Sequence, residues 1–184
     1  RVDNSWTYRE RSTGSTYQWN DKNFNANYGG IPKNVFLHVC DNVYQTLPLY
    51  SSLHTTGVYV YGSDFDVKAK TMTLNVESEV RNDSRSSATY CLHVSVANAE
   101  GKTVAEFEGK PFTVGASQTV KAVAAAPMSG MHFWSWGYGY LYTVTTSLKS
   151  AAGNLSDEVA VRTGFRKTRF GEGKIWLNDR VLMV

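Results

Sequence analysis

Residues Lys70–Val80 read KTMTLNVESEV, and Thr89–Asn98 read TYCLHVSVAN. In the first stretch Met72, Leu74 and Val76 fall on one side and Thr73, Asn75 and Glu77 on the other. In the second, Tyr90, Leu92, Val94 and Val96 share a side. A period of two marks a half-buried β-strand, because successive Cβ atoms of an extended chain point to opposite faces. The same period recurs over Tyr140–Leu148 (Tyr140, Tyr142, Val144, Thr146, Leu148) and over Glu158–Phe165 (Val159, Val161, Thr163, Phe165). Weaker strands are predicted at Gly57–Tyr61, Thr103–Phe107, Phe112–Val114 and Gln118–Ala124. Turn-forming residues separate them at Arg81-Asn82-Asp83-Ser84, Asn98-Ala99-Glu100-Gly101, Gly115-Ala116-Ser117 and Ala152-Gly153-Asn154. No segment has the 3.6-residue period of an amphipathic helix. Seven or eight short strands between Thr55 and Phe165 predict an all-β fold, an immunoglobulin-like β-sandwich. The Cys–Trp–Cys pattern of antibody domains is absent, so the likeness is to the fibronectin kind of sandwich.

The totals support a packed fold. The chain has 184 residues, of which 42% are hydrophobic, 13% aromatic and 19% charged, a balance that excludes a disordered chain. The net charge is +3, and the basic residues are spread out apart from Arg162–Arg169, so nucleic acid is not an expected partner. No stretch approaches the ~20 apolar residues of a membrane span, so a membrane is not expected either. Cys40 and Cys91 could form one bridge, but their spacing is not diagnostic. With Val35, Leu37 and Val39 inward around the first and Tyr90, Leu92 and Val94 around the second, both sulfurs fall on the outer faces. Two unpaired thiols are expected.

The two ends read differently. Residues 1–54 contain an asparagine- and aromatic-rich stretch, Tyr17–Tyr28 (YQWNDKNFNANY), then Gly29-Gly30-Ile31-Pro32 and a predicted strand at Asn34–Val39. At the other end, Val161–Val184 reads VRTGFRKTRFGEGKIWLNDRVLMV. It predicts a strand, a Gly-Phe-Arg corner, and a hairpin with arms Lys174–Leu177 and Val181–Val184 joined through Asn178-Asp179-Arg180. A domain rarely closes on a run as apolar as Leu182-Met183-Val184, so the chain is expected to be a piece of something larger.

Three segments in series resemble glycoside hydrolase family 2, the family of β-galactosidases, β-glucuronidases and β-mannosidases. Asn27-Tyr28-Gly29-Gly30-Ile31-Pro32-Lys33-Asn34-Val35 is similar to a signature near the end of that family's N-terminal jelly-roll domain. Trp134-Ser135 followed by Tyr140-Leu141-Tyr142-Thr143 resembles a segment late in its immunoglobulin-like domain. Val161–Val184 resembles the passage leading into its catalytic (β/α)8 barrel. The family's prolines between the second pair of motifs are replaced by Trp136-Gly137-Tyr138-Gly139, and its asparagine-glycine turn by Asn178-Asp179. The resemblance implies three parts: the C-terminal remnant of a sugar-binding jelly roll (1–54), an immunoglobulin-like sandwich (55–166), and a connector with the first barrel hairpin (167–184). It implies a parent enzyme that hydrolyses terminal β-glycosidic bonds, β-galactosidase-like, with the barrel of the same parent chain as this segment's main partner.

Retaining glycosidases act with two carboxyl groups ~5–5.5 Å apart, which the resemblance places on a barrel of ~250 residues. The expectation is therefore a non-catalytic scaffold with no catalytic residue, no cofactor and no metal. Glu77, Glu79, Glu106, Glu108, Glu172, Asp64 and Asp66 read as strand or loop charges. His38, His54, His93 and His132 show no metal spacing with one another or with the cysteines. Carbohydrate is the expected small-molecule partner. Trp19, Asn20, Asp21, Asn23, Asn25 and Tyr28 combine flat rings for stacking on sugars with amides for hydrogen bonding, and the resemblance implies that this loop reaches toward the barrel mouth. A second aromatic group, Phe133, Trp134, Trp136, Tyr138 and Tyr140, reads first as a docking surface for the barrel and second as a binding surface. Exposed strand edges would favour association of copies into a homo-oligomer. A stand-alone carbohydrate-binding module, or an immunoglobulin-like interaction module, is the alternative.

Overall fold

The computed structural model describes residues 35, 37, 39–47 and 57–182. The chain divides into two compact units, Arg1–Val39 and Cys40–Val184. Only Val35, Leu37 and Val39 of the first are described, so the expected strand at Asn34–Val39 and the sugar loop lie wholly or largely outside the described residues. The second unit is all-β among its described residues, with antiparallel sheets throughout.

The first sheet is built on β3 (Thr71–Asn82), whose burial alternates without a break along 12 residues. Met72, Leu74, Val76 and Val80 point into the core. One edge of β3 pairs with β2 (Val58–Asp66) along Thr71–Ser78 and then directly with the three residues of β1 (Val43–Gln45) along Val80–Asn82. The other edge carries β7 (Thr119–Met128) in continuous register from Met72↔Met128 to Arg81↔Thr119. The second sheet centres on β4 (Ala88–Ala97). Beside β4 run β5 (Thr103–Glu108) and β6 (Phe112–Val114) on one edge and β8 (Tyr142–Ser150) on the other, followed by β9 (Leu155–Thr163). Leu92, Val94, Val96, Val144 and Leu148 from this sheet meet the inner face of the first. Two sheets closing over alternating inward residues make the sandwich that the period of two demands.

Strand limits shift from the sequence reading for local reasons. The strand expected from Tyr140 starts at Tyr142, because Tyr140 turns outward and stacks on His132 with ring centroids 4.7 Å apart. The strand expected from Glu158 starts at Leu155, where polar Ser156 and Asp157 hide the pattern. β7 runs on through Pro127, which stands opposite Thr73 in register.

Polar residues also enter the core. Gln45, Ser78, Asn82, Thr146 and Asp157 are buried, and each is hydrogen-bonded, as burial requires. The Gln45 amide donates to the Thr146 carbonyl at 3.0 Å and accepts from the Ser78 hydroxyl at 2.9 Å. The Gln45 backbone N–H donates to Asp157 Oδ2 at 2.8 Å. Thus β1 is bound to both sheets, although it lies within residues 1–54, which the sequence reading groups with the jelly roll. Asn82 organises the turn after β3: its amide donates to the carbonyls of Ser86 and Val114, and its oxygen accepts from Ser84 N–H.

A third sheet, of β10 (Thr168–Gly171), β11 (Lys174–Leu177) and β12 (Arg180–Leu182), follows the sandwich. The β11–β12 turn is Asn178-Asp179, with φ of 48° and 63°. Two consecutive left-handed residues form the tight turn whose twist matches antiparallel strands, and Asn and Asp tolerate it best after glycine.

Candidate functional site

Chemistry-bearing side chains gather at one end of the sandwich, on the loop from β7 to β8. Met131 and Phe133 point inward and close the core. Phe133 meets Phe65 edge-on, with centroids 5.5 Å apart. Ser135 and Tyr138 exchange two backbone hydrogen bonds, of 2.9 and 3.0 Å, around a turn in which Gly137 has φ of 72°. That turn lifts Trp136 into solvent, where it is 80% exposed.

Behind it the rings of His132, Tyr138 and Tyr140 stack in a row. Tyr138 Oη lies 3.2 Å from His132 Nδ1. The Tyr140 hydroxyl donates to Glu100 at 3.3 Å, and the buried Tyr142 hydroxyl accepts from His132 N–H at 2.9 Å. Burial, the largest cause, holds the Tyr142 phenol above its ordinary range. With Asn98, Val104 and Met128 these groups line an open hollow of ≈ 440 Å³. Ring faces that stack on one another are partly used up, so the hollow offers edges and hydroxyls more than free platforms.

The five aromatics expected to form one surface therefore separate. Phe133 is core, Trp134 is half-buried, and Trp136, Tyr138 and Tyr140 face the outside to different extents.

Trp134 belongs to a joint between the sandwich and the third sheet. Its N–H donates to the Phe165 carbonyl at 2.8 Å, and its carbonyl accepts from the Asn178 amide at 2.9 Å. Asn178 Oδ1 accepts from Lys167 N–H at 3.0 Å, and Asn178 N–H returns a bond to the Lys167 carbonyl at 2.9 Å. Arg166 lies over the Trp134 ring at 5.3 Å, and Lys167 pairs with Asp179 at 2.8 Å. Gly164 has no room for a side chain: an added Cβ would sit 2.9 Å from Trp134 Cβ and 3.1 Å from Leu141 Cδ2. Phe165 is buried against Tyr142. The Gly-Phe-Arg and Leu-Asn motifs are therefore two halves of one joint. From the sequence Asn178 reads only as a turn residue, because its reach to Trp134, 44 positions away, leaves no local signal.

Apart from the buried Asp157, the described acids are spread over outer faces and turns. Glu77 is held below its ordinary value chiefly by its hydrogen bond from Lys121 at 2.9 Å. Asp83 is lowered by Arg81 first and Tyr44 second. Glu158 accepts from Ser147, and Glu172 pairs loosely with Arg169. Cys40 and Cys91 are free thiols. Burial, and then nearby carboxylates, push both upward, away from the reactive thiolate. One grouping was not visible from spacing: Cys91, His93 and Glu108 converge on the outer face of the second sheet, with ligand atoms all within 4.8 Å of one another. The expected sugar-contacting residues Trp19, Asn20, Asp21, Asn23, Asn25 and Tyr28 lie outside the described residues.

The sandwich coincides with a known family. Residues 57–166 match the model of glycosyl hydrolases family 2. The chain belongs to that family. A β-glucuronidase of Formosa agariphila is 29% identical over 161 residues, which are 87% of this chain and 16% of that protein. Among solved structures, a family 2 β-glucuronidase aligns at a TM-score of 0.68 with 25% identity, covering 77% of this chain and 14% of that one. A Bacteroides uniformis β-glucuronidase aligns at 0.63 with 24% identity, over 77% of this chain and 16% of its own. This family 2 chain thus spans about a sixth of the length of the curated relative it matches. The all-β sandwich and the family membership anticipated from the sequence stand.

Proposed function

We propose that this chain is the non-catalytic scaffold portion of a retaining β-glycosidase, with an immunoglobulin-like sandwich that orients a sugar-binding jelly roll against a (β/α)8 barrel in the same parent protein. The observation that carries the reading is the family match over 57–166, the segment that folds as the sandwich. A barrel takes ~250 residues, more than the 184 here. Several described carboxylates are already engaged by neighbouring groups: Glu77 by Lys121, Asp83 by Arg81, Asp157 by the Gln45 N–H and Glu158 by Ser147. The joint at Trp134, Gly164 and Asn178 supports the orienting role, since it fixes the third sheet on the sandwich through directional bonds rather than apolar contact alone.

The division into 1–54, 55–166 and 167–184 is part of this proposal, as is contact of Trp19, Asn20, Asp21, Asn23, Asn25 and Tyr28 with carbohydrate. For the parent's substrate, β-glucuronides are favoured by the curated relative and by the structure at 25% identity, both β-glucuronidases; the β-galactoside expectation from the sequence is the second candidate.

The test is turnover of aryl β-glucuronide and aryl β-galactoside by this chain and by its parent. The chain alone is expected to be inactive and the parent to prefer the glucuronide. Turnover by the pure chain that disappears when one of its own carboxylates is replaced overturns the scaffold reading. Preference of the parent for the galactoside overturns only the choice of sugar.

A further inference from the structure

Cys91 and His93 stand two residues apart on β4 and so project from the same face. That face is the outer one, because Leu92 between them is buried in the core. The register places Glu108 of β5 directly across from His93. His93 Nε2 and Glu108 Oε2 lie 3.3 Å apart, and the Cys91 sulfur, the imidazole nitrogen and the carboxylate oxygen all lie within 4.8 Å of one another.

We propose that Cys91, His93 and Glu108 form a binding site for one zinc ion. Zinc bonds of ~2.0–2.1 Å to nitrogen and oxygen give a tetrahedron with edges of ~3.3–3.4 Å, which is the spacing His93 and Glu108 already have. A sulfur ligand sits ~3.6 Å from the other two in such a set, so small side-chain rotations close the triad. The donor set selects the metal: a thiolate, an imidazole and one carboxylate suit zinc, whereas calcium or magnesium take oxygen donors. Water fills the fourth position. On binding, the Cys91 thiol gives its proton to solvent and the sulfur lone pair forms the metal bond; nothing is oxidised or reduced.

The surroundings fit a staple rather than a reaction centre. Ser95, Ser147, Lys149, Glu106 and Glu158 share an open hollow with His93 and Glu108 on this sheet face. The cation nearest in register is Lys149, opposite Cys91 on β8. Glu108 ends the edge strand β5, and the Cys91 thiol donates to the carbonyl of the next residue, Gly109, at 3.1 Å. A bound ion would therefore fasten the end of β5 to the central strand β4.

The experiment is titration of the full chain with zinc by calorimetry and with cobalt(II) by absorption, in wild type and in Cys91→Ser, His93→Ala, Glu108→Gln and Cys40→Ser. Circular dichroism checks that each variant is folded, which is expected because all three ligands lie on an outer face. The expected result is one ion per chain with a thiolate-to-cobalt charge-transfer band. Cys91→Ser abolishes the band, His93→Ala and Glu108→Gln weaken binding at least about tenfold, and Cys40→Ser changes nothing. No saturable binding overturns the site, and so does binding with unchanged affinity in a Cys91→Ser/His93→Ala double variant.

Discussion

Gln45→Leu isolates the bridge between the two sheets. The change keeps a side chain of similar bulk and removes one hydrogen bond to the Thr146 carbonyl and one from the Ser78 hydroxyl. Ser78 is fully buried, so its hydroxyl is left without that partner. A neutral hydrogen bond contributes about 1 kcal/mol net, and an orphaned buried polar group costs about 1–3 kcal/mol. The variant should lose about 2–4 kcal/mol, a fall in Tm of roughly 4–16 °C at about 2–4 °C per kcal/mol for a chain of this size. Replacing both partners, Gln45→Leu with Ser78→Ala, removes the orphan and should recover most of the loss. The assay is urea and thermal unfolding followed by circular dichroism, combined as a double-mutant cycle. A Gln45→Leu variant within about 0.5 kcal/mol of wild type, or a cycle with no coupling between positions 45 and 78, refutes the claim that this amide binds β1 into the core.

Other outcomes can be checked alongside. Asn178→Ala removes two side-chain bonds and puts alanine at a positive φ, so hydrogen exchange should rise across Thr168–Leu182 while β3 and β4 stay protected. Gly164→Val forces atoms against Trp134 and Leu141 and should destabilise by about 1–3 kcal/mol; an unchanged urea midpoint would contradict the packing. Burial raises the Tyr142 phenol above its ordinary value near 10, so the folded state holds that proton more tightly. Its contribution is complete below about pH 10 and lost as pH rises through the folded value, and Tyr142→Phe should reduce the alkaline slope of stability. Lys121→Met breaks an exposed pair with Glu77, and because solvent screens such pairs the urea midpoint should stay close to that of the wild type.

What could be read in the sequence was whatever period two and turn chemistry encode. Met72, Leu74 and Val76 announced β3 because burial on one face leaves an alternating trace. Asn178-Asp179 announced its turn because few residues accept left-handed backbone. Features that depend on residues distant in the chain were silent. Gln45 looks like a surface amide until β1 is laid beside β3. Asp157 looks like a loop charge until it meets the Gln45 N–H. Glu108 reads as an outward strand charge and is one, but its place across from His93 and near Cys91 follows from strand register, which no local pattern fixes. Tyr140 misled in the other direction: it kept the alternation of the following strand, yet the His132 ring and Glu100 draw it away from the ladder.

The pairing of β4 with β8 bears on how the chain is made. Ala97 is matched with Thr143, 46 positions later, and Tyr90 with Ser150, 60 positions later. At ribosomal speeds of ~5–20 residues per second, β4 waits roughly 2–12 s for its neighbour to be synthesised. Until then one full edge of the strand lacks its permanent mate, and only the nearby β5 and β6 segments can shield the other. Newborn chains are thus open to mispairing of this edge between the emergence of Ala97 and that of Ser150.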